Sequence, residues 1–462
     1  MSHQDKDCSG IRTNAGCLKQ ALRWLLLYHV DWRGIEFRDD CTWTPLQLVA
    51  TAILWAWSDE PTLGERFFAA RRIAEHLYQP QREFAGSSQA FLKMLVRWTT
   101  SLVAVVQAAL RRRMQDALAG SWMIFGFVVF GVDGSRVEVP RTKSHEAVNG
   151  LARNKQGRKL KRNRRKKPRT AAHTKKANTP AMWLTLLWHV ASGLPWAWRS
   201  GPTGSSEREH WRQMLDELPA SAFIAADAGF VGYEILRDVI DGGRHVLVRV
   251  GSNVRLLRKL GWTKESAGTV YLWPDRAAQK NEPPLMLRLV VALGGKHPVH
   301  LVTSVSHSRL SDAKVIEVYR RRWGIELFFR HLKQTFQRRK LRSLNANNAR
   351  VELEWSLVGL WCVALYAQFE LAGQGINPAQ LSMASALKAF RRMLRDYLHP
   401  AQRKRSLAML LRRALRDPYP RTDKTSRDYP RKKRPDPPPG EPEIKTATAA
   451  QVRRAHQLRT AA

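Results

Sequence analysis

Residues 318–336 read VYRRRWGIELFFRHLKQTF and form the most informative pattern in the chain. As an α-helix, this stretch places polar side chains on one stripe about 80° wide. These side chains are Tyr319, Arg322, Glu326, Arg330 and Lys333. Apolar residues occupy the neighbouring arc, so one face packs and the adjoining face holds a carboxylate among cations. A solvent-exposed helix with internal ion pairs is the alternative interpretation.

Two more carboxylates follow predicted strands. Asp133 comes directly after the apolar run 125–132, and Asp227 comes directly after the buried run 222–226. A carboxylate at the end of a strand stands on rigid backbone and faces outward, which suits a metal ligand. A turn at Asp133 and a helix cap at Asp227 are the simpler interpretations, because Asp-Gly is a common turn dipeptide.

The chain changes from helical periodicity to strand periodicity and back. Residues 14–118 have apolar residues at helical spacing, which predicts a multi-helix N-terminal region. Residues 125–250 predict the order β-β-β-α-β-α-β, and residues 251–305 predict short strands with turns. A long helix is predicted from Ser311 to about Lys340. Further helices are predicted at 350–371, 378–397 and 401–415.

The chain is strongly basic. It has 462 residues, with 78 Lys and Arg against 39 Asp and Glu, and a formal net charge of +39. Residues 153–176 hold 13 Lys and Arg and no acidic residue. We expect a polyanionic partner, namely nucleic acid. The basic run predicts a loop that orders on a phosphate backbone, and a solubilising loop is the alternative.

Several protein classes do not fit the sequence. The four cysteines show no C-x-x-C spacing, so neither a disulfide framework nor a zinc module is expected. The first ten residues lack the apolar core of a secretory signal. Residues 353–372 are long enough to span a membrane but contain Glu354 and Glu370, which favours a buried core helix. We expect a cytoplasmic protein without a membrane span.

The sequence resembles a DDE transposase of bacterial insertion sequences. The subgroup signature Tyr-x2-Arg-x3-Glu-x6-Lys is matched without a gap by Tyr319, Arg322, Glu326 and Lys333. The chain is also similar in having DGS at Asp133, DAGF at position 227 and a β-rich insertion between the second Asp and the Glu. The resemblance covers roughly residues 120–345.

The resemblance implies an α/β fold with a ribonuclease H-like mixed sheet as catalytic core, a β-rich insertion, and helical N- and C-terminal regions. Periodicity and composition divide the chain into four parts. They are a helical N-terminal domain at 1–118, either DNA-binding or a plain helical bundle, a core at 119–345 with basic loop 153–176 and insertion 251–305, a helical region at 346–415, and a basic, proline-rich, disordered tail at 416–462.

The resemblance also implies a chemistry. Asp133, Asp227 and Glu326 would be the triad that coordinates two Mg²⁺ ions, with Mn²⁺ as a substitute. The enzyme would cleave DNA at the ends of its insertion sequence and join the freed 3′-hydroxyl to target DNA by cut-and-paste transposition. The partners would be double-stranded DNA, at the terminal inverted repeats and the target, and a second copy of the chain in the DNA complex. The expected DNA contacts are Tyr319, Arg322, Arg330 and Lys333.

Two other functions fit parts of the pattern. A domesticated or inactive relative would bind DNA without cutting it. A ribonuclease H-fold DNA nuclease, such as a junction resolvase, would cut structured DNA without joining strands. Metal-dependent cleavage separates the first alternative from a transposase, and strand joining separates the second.

Overall fold

One ten-stranded sheet with helices around it forms the fold. The computed structural model describes residues 14–26, 30–80, 83–84, 86–150, 180–294, 297–398, 406–417 and 440–461. The predicted basic loop 153–176 lies outside the described residues.

Five strands form one half of the sheet in the spatial order β3-β2-β1-β4-β5, with β3 at the edge. They are β1 (Val129–Glu138), β2 (Ala181–His189), β3 (Leu194–Pro202), β4 (Phe223–Ala226) and β5 (His245–Val250). Strands β1, β4 and β5 run parallel, whereas β2 pairs antiparallel with both β1 and β3. This mixed sheet confirms the predicted α/β class and the ribonuclease H-like core.

Four strands from the predicted insertion continue the same sheet beyond β5. They are β6 (Arg255–Arg258), β7 (Thr269–Leu272), β8 (Leu285–Ala292) and β9 (Val299–Thr303), with the short helix α8 (Asp275–Gln279) between β7 and β8. Strand β9 pairs antiparallel with β5, so the insertion is joined to the core through backbone hydrogen bonds.

The prediction of two strands, at 125–132 and 135–139, is wrong: the structure has the single strand β1, which begins only at Val129. Strand β1 continues through Asp133 and Gly134, which pair with Leu186 and Thr185 of β2. Asp-Gly forms no turn here, because the neighbouring strand supplies ladder partners on both sides of the dipeptide.

Helices from both ends of the chain pack together on one side. The N-terminal set is α1 (Asn14–Leu26), α2 (Pro45–Trp57), α3 (Leu63–Tyr78) and α4 (Ser88–Ala117). The C-terminal set is α11 (Ala346–Gly373), α12 (Met383–Leu398) and α13 (Leu407–Arg412). The Trp57 indole donates to the Gly359 carbonyl at 2.8 Å, and the Trp355 indole donates to Thr99 Oγ1 at 2.9 Å. The two regions predicted separately therefore share one core.

Helix α11 has the length and apolar composition of a membrane span, and it is the only such helix among the described residues. However, 78% of its apolar window is buried inside the protein. Its Glu352 accepts hydrogen bonds from the Ser343 amide and hydroxyl at 3.0 and 2.9 Å. The buried, partnered carboxylate agrees with the predicted core helix.

The prediction of a disordered tail is wrong for residues 440–461. Strand β10 (Glu443–Thr446) pairs in parallel with β6 and forms the last strand of the sheet. Helix α14 (Ala449–Ala461) follows, and its Arg454 donates to the Ala278 carbonyl at 3.0 Å. The edge of β6 offers unpaired backbone groups, which a distant segment satisfies despite its composition. Residues 418–439 lie outside the described residues.

Smaller helices cover the core of the sheet. They are α5 (Lys143–Asn149), α6 (Glu207–Arg212), α7 (Tyr233–Asp241), α9 (Asp312–Arg321) and α10 (Gly324–Arg330). The predicted helix from Ser311 to Lys340 is shorter and is interrupted after Arg321, and a π-helical turn, His331–Thr335, follows α10. The chain then leaves the helix, because the Arg339 carbonyl and the Leu341 amide bond to the backbone of Glu138.

Gly324 lies where α10 meets the sheet. A β-carbon at this position would lie 2.0 Å from Cη2 of Trp188, a ring that cannot move aside easily. We expect Gly324→Ala to lower the free energy of unfolding by about 1–3 kcal/mol through overpacking. Urea unfolding measures this change. Gly373→Ala is the matched control, because a β-carbon there meets nothing within 4 Å, and an equal loss in both variants would contradict the prediction.

Candidate active site

Asp133 and Asp227 follow a paired position of two neighbouring parallel strands. Val132 of β1 pairs with Ala226, the last residue of β4, and the next residue in each segment is one of the two aspartates. Asp133 Oδ1 accepts a hydrogen bond from the Gly134 amide at 2.8 Å. Asp227 leaves its strand with extended backbone and precedes the short turn Ala228–Phe230. The parallel register therefore brings together two carboxylates that are 94 residues apart in sequence.

The charges at this edge of the sheet shift the pKa of Asp133. Burial raises the pKa of its carboxyl to about 6. The Gly134 amide and the Arg322 guanidinium lower that pKa, whereas the charges of Asp227 and Glu326 raise it. Asp133 thus shares one electrostatic environment with both other carboxylates of the predicted triad.

Helices α9 and α10 bring the polar stripe to the same edge. The Tyr319 hydroxyl donates to Asp227 Oδ1 at 3.3 Å, and Tyr319 is nearly buried. Burial raises the pKa of Tyr319 to about 12. Glu326 is exposed; partial burial raises its pKa, Arg322 lowers it and Asp227 raises it. Tyr319, Arg322 and Glu326 of the predicted stripe therefore lie near the two aspartates.

Arg322 is the cation buried among these carboxylates. Only 2% of the residue is exposed, and its side-chain stem lies over Gly131, with Cγ 3.5 Å from where a β-carbon of that glycine would be. Its guanidinium stands 5.3 Å from the centre of the Tyr319 ring. A glycine in β1 thus lets the arginine lie against the strand and offset the negative charge of the site.

Comparison with known proteins assigns the chain to a family. The transposase DDE domain matches residues 125–362, which include all three carboxylates. This chain belongs to the transposase DDE domain family. Members of this family use divalent metal ions.

Two individual proteins are similar to this DDE-domain chain. Transposase InsG for insertion sequence element IS4, from Escherichia coli (strain K12), is 27% identical over 206 residues. The match covers 42% of this chain and 46% of the relative, so the chain spans less than half the length of that protein. A piggyBac transposase, solved in a synaptic complex with hairpin DNA, is 12% identical over 91% of this chain and 89% of that chain, with a TM-score of 0.37.

Lys333 lies beside β1 in this transposase DDE domain. Its Nζ donates to Ser135 Oγ at 2.6 Å, two residues beyond Asp133. Burial lowers the pKa of Lys333, and the charge of Glu138 opposes that shift. The π-helical turn changes the angle per residue after Arg330, so a regular α-helical wheel does not describe the position of Lys333.

Arg330 has surroundings different from those of the other stripe residues. It is exposed at the end of α10, next to His331. Burial is the main cause that lowers the pKa of His331 to about 4, and the positive charge of Arg330 lowers it further. No contact between Arg330 and the three carboxylates is seen in the part of the chain that the structure describes. Helical spacing alone therefore did not place Arg330 at the site.

The donor set of the transposase DDE domain suits a hard cation. Asp133, Asp227 and Glu326 offer only oxygen atoms, which Mg²⁺ and Mn²⁺ accept as ligands. Within the described ranges, no three His, Cys, Asp or Glu side chains converge closely enough to hold one ion. The residue types fit the metal of the family.

Sequence reasoning missed a further carboxylate and two cations. Glu207, the first residue of α6, lies against Gly134, and burial followed by Asp133 and Asp227 raises its pKa to about 7. Arg136 and Arg208 are exposed and lower the pKa of the Glu207 carboxyl. No spacing in the sequence connects these residues, because α6, β1 and β4 meet only in the folded protein.

Proposed function

We propose that this protein is a transposase that binds the ends of its insertion sequence, cleaves DNA and joins the freed 3′-hydroxyl to target DNA. The observation that supports this function best is that Asp133 and Asp227 follow a paired position of two parallel strands and lie within electrostatic reach of Glu326 and Arg322. Such an arrangement offers carboxylates on rigid strands together with a cation that limits their repulsion. Membership of the transposase DDE domain family supports a role for this arrangement in DNA cleavage and joining.

In this proposal Asp133, Asp227 and Glu326 hold two Mg²⁺ ions, and Mn²⁺ can replace them. When bound, such a pair supplies activation of the attacking oxygen and stabilisation of the leaving oxygen in phosphoryl displacement. Tyr319 holds Asp227 in place through its hydroxyl, and Arg322 balances the charge of Asp133 and Glu326. These contacts hold Asp227 and limit the repulsion between the carboxylates before DNA arrives.

The four residues expected to contact DNA differ in how accessible they are to phosphates. Tyr319 and Arg322 are nearly buried, so we infer that they act mainly on the carboxylates and touch DNA only at the exposed rim. Lys333 is half-buried beside Ser135, and its Nζ is placed to meet a phosphate close to Asp133. Arg330 is exposed and belongs to the DNA-facing surface in this proposal.

We expect Lys333→Ala to weaken binding of a duplex that carries an element end. The loss of one phosphate contact should reduce the slope of log affinity against log salt by about 0.9. Fluorescence anisotropy over a range of salt concentrations measures both quantities. Lys388→Ala removes an exposed lysine on α12 and is the matched control. An unchanged salt slope in Lys333→Ala would show that this lysine does not contact phosphate.

The partners follow from the same proposal. Cut-and-paste transposition brings two element ends together, so we propose a homodimer in the DNA complex that acts in the cytoplasm, at the nucleoid. The net charge of +39 supports contact with double-stranded DNA at the terminal inverted repeats and at the target.

One experiment tests the proposed function. A labelled duplex with the terminal sequences that flank the gene is incubated with the protein and a target plasmid, in Mg²⁺ or EDTA, beside Glu326→Ala. Metal-dependent cuts at the element ends, followed by joining, are the expected result, and both should vanish in the variant. Binding without cutting would favour a DNA-binding relative, and cutting without joining would favour a ribonuclease H-fold nuclease.

A further inference from the structure

Glu207 occupies the space above two glycines that accompany the triad aspartates. A β-carbon on Gly134 would lie 2.0 Å from Glu207 Oε1, and a β-carbon on Gly229 would lie 3.8 Å from Glu207 Oε2. Gly134 directly follows Asp133, and Gly229 lies two residues after Asp227. The Glu207 carboxylate therefore lies between the two backbone segments that directly follow the aspartates.

The Glu207 carboxylate shares its surroundings with two carboxylates of the proposed triad. Glu207 is partly buried and lies within electrostatic reach of Asp133 and Asp227. No hydrogen bond or ion pair to the Glu207 carboxylate is seen among the described residues, and the side chains of Arg136 and Arg208 offset its charge only from a distance. Carboxylates that share a site in this way are stabilised when a cation binds between them.

A purely structural role accounts for Glu207 less well. An acidic residue in the first turn stabilises a helix through its dipole, but a solvent-facing side chain would do this equally. Glu234 shows that arrangement in the first turn of α7, where the side chain is exposed. The Glu207 carboxylate instead lies against Gly134, the residue after Asp133, and a residue larger than glycine at 134 would displace it.

We propose that Glu207 is a fourth carboxylate ligand of the metal centre, facing the divalent cation that Asp133 and Asp227 hold. This inference rests on the proposed function, because it assumes the metal centre of the triad. It assigns Gly134 a role as well: the absence of a side chain there leaves room for the Glu207 carboxylate. The metal centre would then draw on β1, β4, α6 and α10.

The test is a Mn²⁺ titration of the full chain at pH 8, in which electron paramagnetic resonance measures the concentration of free Mn²⁺. We expect Glu207→Gln to weaken Mn²⁺ affinity about 10-fold or more, the range seen when groups that support a metal site are removed. Glu234→Gln is the matched control and should bind as the wild type does. Gly134→Ala should also weaken binding, because it displaces the carboxylate without changing the charge.

The outcomes separate this inference from the proposed function. Wild-type affinity in Glu207→Gln, together with loss of affinity in Asp133→Asn, would overturn the role of Glu207 alone. No Mn²⁺ binding by the wild type, or no effect of Asp133→Asn, would overturn the metal centre itself and the Glu207 inference with it. The melting temperature of Glu207→Gln in EDTA should equal or exceed that of the wild type, since the substitution removes a repelled charge. A marked decrease would indicate a structural role.

Discussion

Replacing Asp133 by Asn, Asp227 by Asn or Glu326 by Gln is expected to lower DNA cleavage by roughly 10³-fold or more, because each change removes an anionic oxygen from a catalytic metal site. The shape of each side chain is conserved, so the fold should persist. DNA affinity should remain close to that of the wild type, since the basic surface supplies most of the binding free energy. Cleavage of a labelled element end and fluorescence anisotropy measure the two properties separately.

The control for these variants is Asp275→Asn. Asp275 is an exposed aspartate in the first turn of α8, away from the triad, and its substitution should leave cleavage unchanged. If all three triad variants lost DNA binding to the same extent as cleavage, the metal assignment would be contradicted. If one variant kept full cleavage, that residue would not belong to the triad.

Replacing Trp355 by Ala is expected to have the largest effect on stability. Trp355 is fully buried in α11, and its indole donates to Thr99 Oγ1 of α4 at 2.9 Å. The substitution leaves a large cavity between the helices from the two ends of the chain and removes the partner of Thr99. We expect a loss of about 3–5 kcal/mol in the free energy of unfolding, measured in urea.

Trp323→Ala is the matched control for the stability prediction. Trp323 is the same residue type, but 55% of it is exposed, so its removal should lower the free energy of unfolding far less. Comparable losses in the two variants would show that burial in α11 does not determine the effect.

The candidate site could be predicted from the sequence because its three carboxylates follow local rules. Asp227 follows a short apolar run that is a buried strand, and Glu326 stands on a helical stripe beside Arg322. Asp133 was found by the same reasoning, although β1 continues past it. Its assignment does not depend on the end of the strand, because the parallel register places it beside Asp227.

Longer-range features could not be predicted in this way. The edge of β6 receives Glu443–Thr446 from a segment almost 190 residues away, although the composition around it suggested disorder. The break between α9 and α10 brings Gly324 against Trp188 of a distant strand. Such contacts depend on which surfaces meet in the folded chain, and local periodicity contains no record of them.

The sequence by itself determined the class of fold and the excess of positive charge, and it singled out three candidate carboxylates, because strand and helix periodicity and charge are local properties. Only the tertiary structure showed that Tyr319 bonds to Asp227, that Lys333 reaches Ser135 and that Glu207 lies over Gly134. The physical reason is that burial, repulsion and hydrogen bonding act between atoms that are close in space. The number of residues between two positions in the sequence does not show how close they are in space.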